Sequence, residues 1–323
     1  MKITVNKIKI NKKKLTIIEW SFTITLLILI SFMYYLNLVI VTPKVVLVPS
    51  GSLGKIITQL SEQNHSLTKI DTLFLRFIGS PQKGVIDLND TVMTHADFLY
   101  KLATTKPSME DVTLIPGETT FIFLNQLADE LHLNREKLQS VYKSSTRLEE
   151  GAFVPDTYRF SIGVNEEFLI KTLILDSNKK MKEYSQRLLG SYNEKQWFRY
   201  VTIASIIQKE AGSKEEMPLV SSVIYNRLQN GMKLQMDGTL NYGKFSHVKV
   251  THERIANDKS SYNTYLNKGL PQSPVCNVSF EALNAAVTPA KTSYLYFVKG
   301  KDGKHLFSCN YSTHIKNIHN ATK

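Results

Sequence analysis

The sequence predicts an α+β protein with one N-terminal transmembrane helix, then a small α+β subdomain, then a larger mixed α+β domain. Three observations carry that prediction. Residues 20–41 hold no charged side chain and lie a few residues after a lysine cluster. Between residues 43 and 147, short β-branched runs are followed by amphipathic helical patterns. Beyond residue 148, long apolar helical stripes give way to loops rich in Gly, Pro and Tyr and to a hairpin pattern, the mixture expected of an α+β domain.

The chain has 323 residues, room for two domains and a tail. Half of its formal charge of +12 comes from Lys2, Lys7, Lys9, Lys12, Lys13 and Lys14. Behind them the 22 uncharged residues 20–41, at about 1.5 Å per residue, span roughly 30 Å of hydrocarbon. Trp20, Tyr34 and Tyr35 suit the interfacial zones, and Pro43 and Lys44 end the segment. No small-residue cleavage site follows, and the run is longer than the apolar core of a signal peptide, so an uncleaved anchor is expected. The lysine asymmetry places the N-terminus in the cytoplasm and everything from Lys44 onward outside the cytoplasmic (inner) membrane. Residues 1–16 are then a basic cytoplasmic tail and residues 17–42 the anchor. The tail abuts a membrane span and has no interleaved aromatics, so it reads as a contact for anionic lipid, and no nucleic acid partner is expected.

Residues 43–147 read as a small α+β spacer. The run KVVLVP is strand-like, and residues 53–60 form a helical pattern with Ile56, Ile57 and Leu60 on one side. The same strand-then-helix rhythm returns over residues 112–131, where VTLIP precedes Gly117 and a helix from Phe121 to Leu131. Between the two lie an apolar stretch at residues 72–78, an alternation of Val85, Asp87 and Asn89, and a helix from about His95.

In residues 148–323, LEEGAFVPDTYRF places a turn at Pro155 and Asp156 ahead of a strand carrying Tyr158 and Phe160. Asn165 caps a helix with Glu166 and Glu167 in its first turn that runs through Leu169, Leu173 and Ile174 towards Leu188 and Leu189. Its Lys179, Lys180 and Lys182 form a solvated face. Near the carboxyl end come a helix over residues 281–287, a strand at residues 294–298, a turn at KDGK, and a second strand at residues 305–307. Cys276 and Cys309 have neither C-x-x-C spacing nor a histidine pair at ligand separation, so two free thiols and no metal are expected. There is no P-loop, no G-x-G-x-x-G and no Ser-His-Asp arrangement, and no cofactor is expected.

Residues 201–237 carry the chemistry. Ile203, Ile206 and Ile207 lie seven, four and three positions before Glu210, so helical spacing sets this acid at the end of the stripe they bury, and Gly212 stops the helix. In the last turn the unpaired carbonyls disfavour an ionised carboxylate, and desolvation beside the isoleucines acts in the same direction. A carboxyl that holds its proton near neutral pH is what general acid catalysis requires. Ser213 with Glu216 forms a capping-box pattern that restarts the chain as a helix from about Met217 to Leu228, closed by Gly231. That helix buries Val220, Val223 and Ile224 and carries Tyr225, Asn226 and Arg227 near its end. From spacing alone, a plain helical hairpin with Glu210 at a solvated edge stays open.

The runs IIQKEAG, YNRLQNGMKLQMDGTLNYG and YNTYLNKGLPQSPVCN, with LEEGAFVPDTYRF before them, resemble in order the catalytic domain of the endolytic murein transglycosylases, the MltG or YceG-like family. The resemblance covers roughly residues 148–318 and makes 148–323 the catalytic domain, with a LysM-like portion in 43–147. It puts the catalytic acid on Glu210 and the substrate-binding groups on Tyr225, Asn226, Gln235, Asp237, Tyr262, Asn263 and Tyr265. Phenol and amide groups in the rigid loop ending at Pro271 and Pro274 suit sugar hydroxyls and N-acetyl groups. His305 and His314 match family positions and read as structural. Two departures stand out. Gln208 replaces a glutamate of many members, which points to Glu210 as the acid, and Gly238 stands where proline is usual, which is expected to loosen the turn holding Gln235 and Asp237.

The resemblance implies cleavage within peptidoglycan glycan strands without water, leaving 1,6-anhydro-N-acetylmuramic acid ends, with cell-wall synthases as partners and no cofactor. Two rivals remain at this point: a muramidase in which Asp237 activates water, and a non-catalytic wall-binding scaffold in which Glu210 is a surface acid.

Overall fold

The computed structural model describes residues 12–49, 51–62 and 67–322. Most of the expected basic tail lies outside the described residues. The chain divides into two compact units, Met1–Ser108 and Met109–Lys323.

In the first unit, α1 (Lys12–Asn37) contains the 23-residue run Leu15–Asn37, long and apolar enough to cross a membrane. The helix stops short of residue 41. Val39, Ile40 and Val41 are β-branched and form β1 (Val39–Val41) instead. β2 (Val45–Val48), α2 (Leu53–Glu62), α3 (Asp71–Ile78), β3 (Gly84–Asp87), β4 (Val92–Thr94) and α4 (His95–Thr104) follow. β1 pairs antiparallel with β4, Val39 opposite Thr94, and β2 pairs antiparallel with β3, Val45 opposite Asp87. The core between strands and helices is Val46, Val48, Ile57, Leu60, Leu75, Ile86, Phe98 and Leu99. Under the end of α1, buried Asp71 accepts from Tyr35 Oη at 3.0 Å and lies 2.9 Å from Nε2 of buried His95. This polar cluster fixes the last turn of the apolar helix to the small unit.

The second unit opens with β5 (Met109–Thr113), α5 (Thr120–Leu131), α6 (Arg135–Ser145) and β6 (Thr157–Ser161). β5 pairs antiparallel with β6, Met109 opposite Ser161 and Thr113 opposite Thr157. That pairing makes residues 109–147 part of the larger unit, so the compact boundary falls at Ser108 and not at residue 147. The strand and helix expected over residues 112–131 do form, but their apolar face packs with Phe153, Tyr158 and Leu169.

Then come α7 (Glu166–Leu189), α8 (Glu194–Glu210), α9 (Met217–Gln229), α10 (His252–Asn257), α11 (Phe280–Val287), the hairpin β7 (Tyr296–Lys299) and β8 (His305–Ser308), and α12 (Tyr311–Thr322). Asn165 caps α7 through bonds from the Glu167 and Phe168 amides, as its sequence position predicts. α8, α9 and α11 share one core, into which Ile203, Ile206, Ile207, Val220, Val223 and Ile224 are fully buried. Each such isoleucine contributes on the order of 2 kcal/mol by burial. The capping box at Ser213 does not form. Glu216 makes no cap bond to α9 and instead accepts from the His305 amide at 2.7 Å and lies 2.8 Å from His305 Nδ1, tying the helical turn to the β hairpin. The thiols of Cys276 and Cys309 are free.

Candidate active site

The stripe that buries α8 delivers Glu210 to the edge of a cleft of about 460 Å³. The helix ends at Glu210 itself, with Ala211 already extended. Opposite it a single 3-10 turn, Asp237–Leu240, packs on the end of α8. The Gly238 amide donates to Glu210 Oε1 at 2.7 Å. A Cβ at residue 238 would come within 2.6 Å of Lys209 Cβ and 2.8 Å of Glu210 Oε1, so the glycine is required by close approach. The expected loosening is not seen. Gly238 is buried, and the turn is pinned because Thr264 Oγ1 accepts from the Met236 amide at 3.1 Å and lies 3.1 Å from Thr239 Oγ1.

Gln235 has a φ of 49°, a left-handed conformation that a non-glycine residue adopts only when its surroundings enforce it. It carries the chain into Asp237, whose Oδ1 accepts from Tyr265 Oη at 2.6 Å. Arg227 lies beneath, nearly buried, with Nε donating to the Leu295 carbonyl at 2.6 Å and Nη1 to the Leu234 carbonyl at 2.5 Å. Burial raises the Glu210 carboxyl from 4.5 to about 7; the negative charge of Asp237 adds to this, while the Gly238 amide and the Arg227 cation oppose it. The direction expected from the sequence holds, and desolvation is its main cause.

Of the catalytic and substrate-binding residues expected from the sequence, Glu210, Gln235, Asp237 and Tyr265 line this cleft together. The others are engaged elsewhere. Tyr225 Oη donates to the Ala286 carbonyl at 2.7 Å, and Asn226 Nδ2 donates to the Thr292 and Tyr294 carbonyls, both at 2.9 Å, so these side chains bind α9 to α11 and to the segment leading into β7. Asn263 is fully buried, donating to the Ile255 and Asp258 carbonyls at 2.7 Å. Tyr262 lines a different cavity of about 750 Å³, stacked on Tyr242 at 4.2 Å with its hydroxyl 3.2 Å from Glu149. Adjacent Glu150 is also raised, to about 8, by burial. Its carboxylate accepts from the Thr120 amide at the start of α5, 2.6 Å away, and is almost sealed from solvent, which makes it a brace between segments.

Sequence reasoning missed Tyr296 and Tyr311, and it read His314 as structural. All three line the cleft with Glu210. No local pattern distinguishes them, because the turn of the hairpin and the packing of α12 decide where they point. His305 also reaches the cleft, but Glu216 holds its ring, in keeping with a structural role.

The model of the YceG-like family matches residues 46–320. An endolytic murein transglycosylase of Bacillus subtilis is 34% identical over 169 residues, which are 52% of this chain and 46% of that protein. One of Streptococcus pneumoniae is 30% identical over 222 residues, 62% of this chain and 39% of that protein. The chain thus matches less than half the length of these curated relatives. A crystal structure of a YceG-like protein from Listeria monocytogenes superposes with a TM-score of 0.56 at 25% identity, covering 87% of this chain and 99% of that one. The family model spans most of the sequence and the solved relative shares its fold: the chain belongs to the YceG-like family.

Proposed function

We propose that the chain is an endolytic murein transglycosylase that cuts the β-1,4 bond between N-acetylmuramic acid and N-acetylglucosamine. The observation that carries this is Glu210, a carboxyl raised to about 7 on an open cleft. The protonated acid donates to the leaving glycosidic oxygen as the bond to C1 breaks. The resulting carboxylate then takes the proton of the C6 hydroxyl on the same muramic acid, whose oxygen attacks C1 and closes a 1,6-anhydro ring. The proton returns to Glu210, and no water is consumed. Asp237, oriented by Tyr265, supplies negative charge where the sugar becomes oxocarbenium-like in the transition state.

Asp237 is also the group a hydrolase would use to activate water, so the product decides between the two. Incubated with purified murein, the chain is expected to release fragments with 1,6-anhydro ends, lighter by one water than hydrolytic fragments. Ordinary reducing ends would replace the transglycosylase with a muramidase.

The 23-residue helix run Leu15–Asn37 supports a single-pass anchor, and the lysines before it support an outward-facing active domain. A reporter active only outside the cytoplasm, fused after Lys323, is expected to work; activity of a cytoplasm-only reporter there would reverse the topology. The strand–helix–helix–strand order of β2, α2, α3 and β3 supports reading the small unit as the LysM-like portion. Direct binding of murein by residues of that unit tests it, and loss of none of the binding on its deletion would remove the reading.

A further inference from the structure

The cleft extends from Glu210 along an aromatic wall for which the proposed chemistry has no use. Tyr296 on β7 is held by its neighbours: the Arg227 guanidinium lies 5.2 Å from its ring centre, and the His314 imidazole stacks on it at 5.1 Å and 24°. Arg227 is itself fixed by two backbone carbonyls, so the stack has a rigid base. α12 presents His314 three residues after Tyr311, which puts both on one side of the helix. The Tyr311 ring tilts against Tyr296 at 5.9 Å and 58°, and lies 6.4 Å from His314.

Tyr311 nevertheless stays 63% exposed, and belongs to no apolar core cluster of the unit. An aromatic ring propped on other rings and left open to a cleft is placed to contact a ligand. The neighbouring His314 packs its ring against this stack, with Nδ1 enclosed and without a hydrogen-bond partner among the described residues. Burial, reinforced by the Arg227 cation, also disfavours the charged form of its imidazole, which keeps the wall uncharged. Hexosamine rings present C–H faces flanked by polar substituents, the complement of such a wall.

We propose that Tyr311, propped on the Tyr296–His314 stack in the same cleft as Glu210, is a sugar-stacking subsite that holds an N-acetylhexosamine ring of the glycan strand. The proposal rests on the glycan-cleaving reading of the cleft and adds the site that grips the strand.

The test uses the full chain in detergent with Glu210→Gln, so that the probe is bound and not cut. The probe is the N-acetylglucosamine hexamer. Adding Tyr311→Ala is expected to weaken its binding about tenfold, the size of effect that loss of one aromatic contact produces, and Tyr311→Trp is expected to restore it. On the Glu210 background, Tyr311→Ala should raise KM for murein by a similar factor with kcat nearly unchanged. Equal binding by the Tyr311→Ala chain, loss that Trp does not rescue, or no binding of the hexamer by the Glu210→Gln parent would each overturn the subsite. A wild-type chain that binds the hexamer in a Tyr311-dependent way yet leaves murein uncut would instead overturn the cleavage while keeping the subsite, so the two readings fail separately.

Discussion

A Glu210→Gln chain is expected to fold normally and to lose at least about 10²–10⁴-fold in murein cleavage, the contribution of a positioned general acid. The fold should survive because the amide oxygen can still accept the Gly238 N–H that now reaches Oε1 at 2.7 Å. Only the transferable proton is gone. The wild-type pH profile belongs to the same expectation. The Glu210 carboxyl, raised from 4.5 to about 7, keeps its proton below that value and loses it above, so kcat/KM should decline as pH climbs through about 7. A stably folded Glu210→Gln chain with near-normal activity would show that Glu210 is not the acid, and a wild-type chain that leaves murein uncut would leave the non-catalytic scaffold as the better reading.

Asp237→Ala is expected to lower turnover by about 10²-fold, the scale seen when one preorganised electrostatic group is removed from a transition state. Asp237 is exposed at the cleft, so its loss should move stability by no more than about 0.5 kcal/mol. Removing the like charge also lets the Glu210 carboxyl ionise more readily, so the alkaline limb of the profile should shift to lower pH. A large fall in Tm with unchanged specific activity would make Asp237 a structural turn residue.

What was legible in the sequence follows the range of the forces involved. The stripe Ile203, Ile206, Ile207 and Glu210 is a local pattern of helical period, and the structure buries the isoleucines and opens the acid to the cleft as that period predicts. The cap of α7 at Asn165 is equally local. Features decided by distant segments did not show. The capping pattern at Ser213 is sound in sequence, but Glu216 finds stronger donors on His305, 89 positions away. The span ending at residue 41 looked continuous because apolar β-branched residues serve a membrane helix and an edge strand alike, and pairing with β4 decides for the strand. Tyr225, Asn226 and Asn263 carry groups suited to sugars, yet backbone carbonyls take up those groups first. Tyr311 enters the site because α12 packs against β7, a pairing no window of sequence contains.

The Gly238 contact also decides which oxygen of the acid can react. The carbonyl oxygen of a neutral carboxyl is a much better acceptor than its hydroxyl oxygen, so while the Gly238 N–H holds Oε1 the proton is favoured on Oε2. The two oxygens of Glu210 are therefore not interchangeable during the reaction: one stays moored to the turn and the other shuttles the proton. Because the donor is main chain, among the natural amino acids only proline at residue 238 would remove it outright, and any side chain placed there would instead press on the carboxyl it orients.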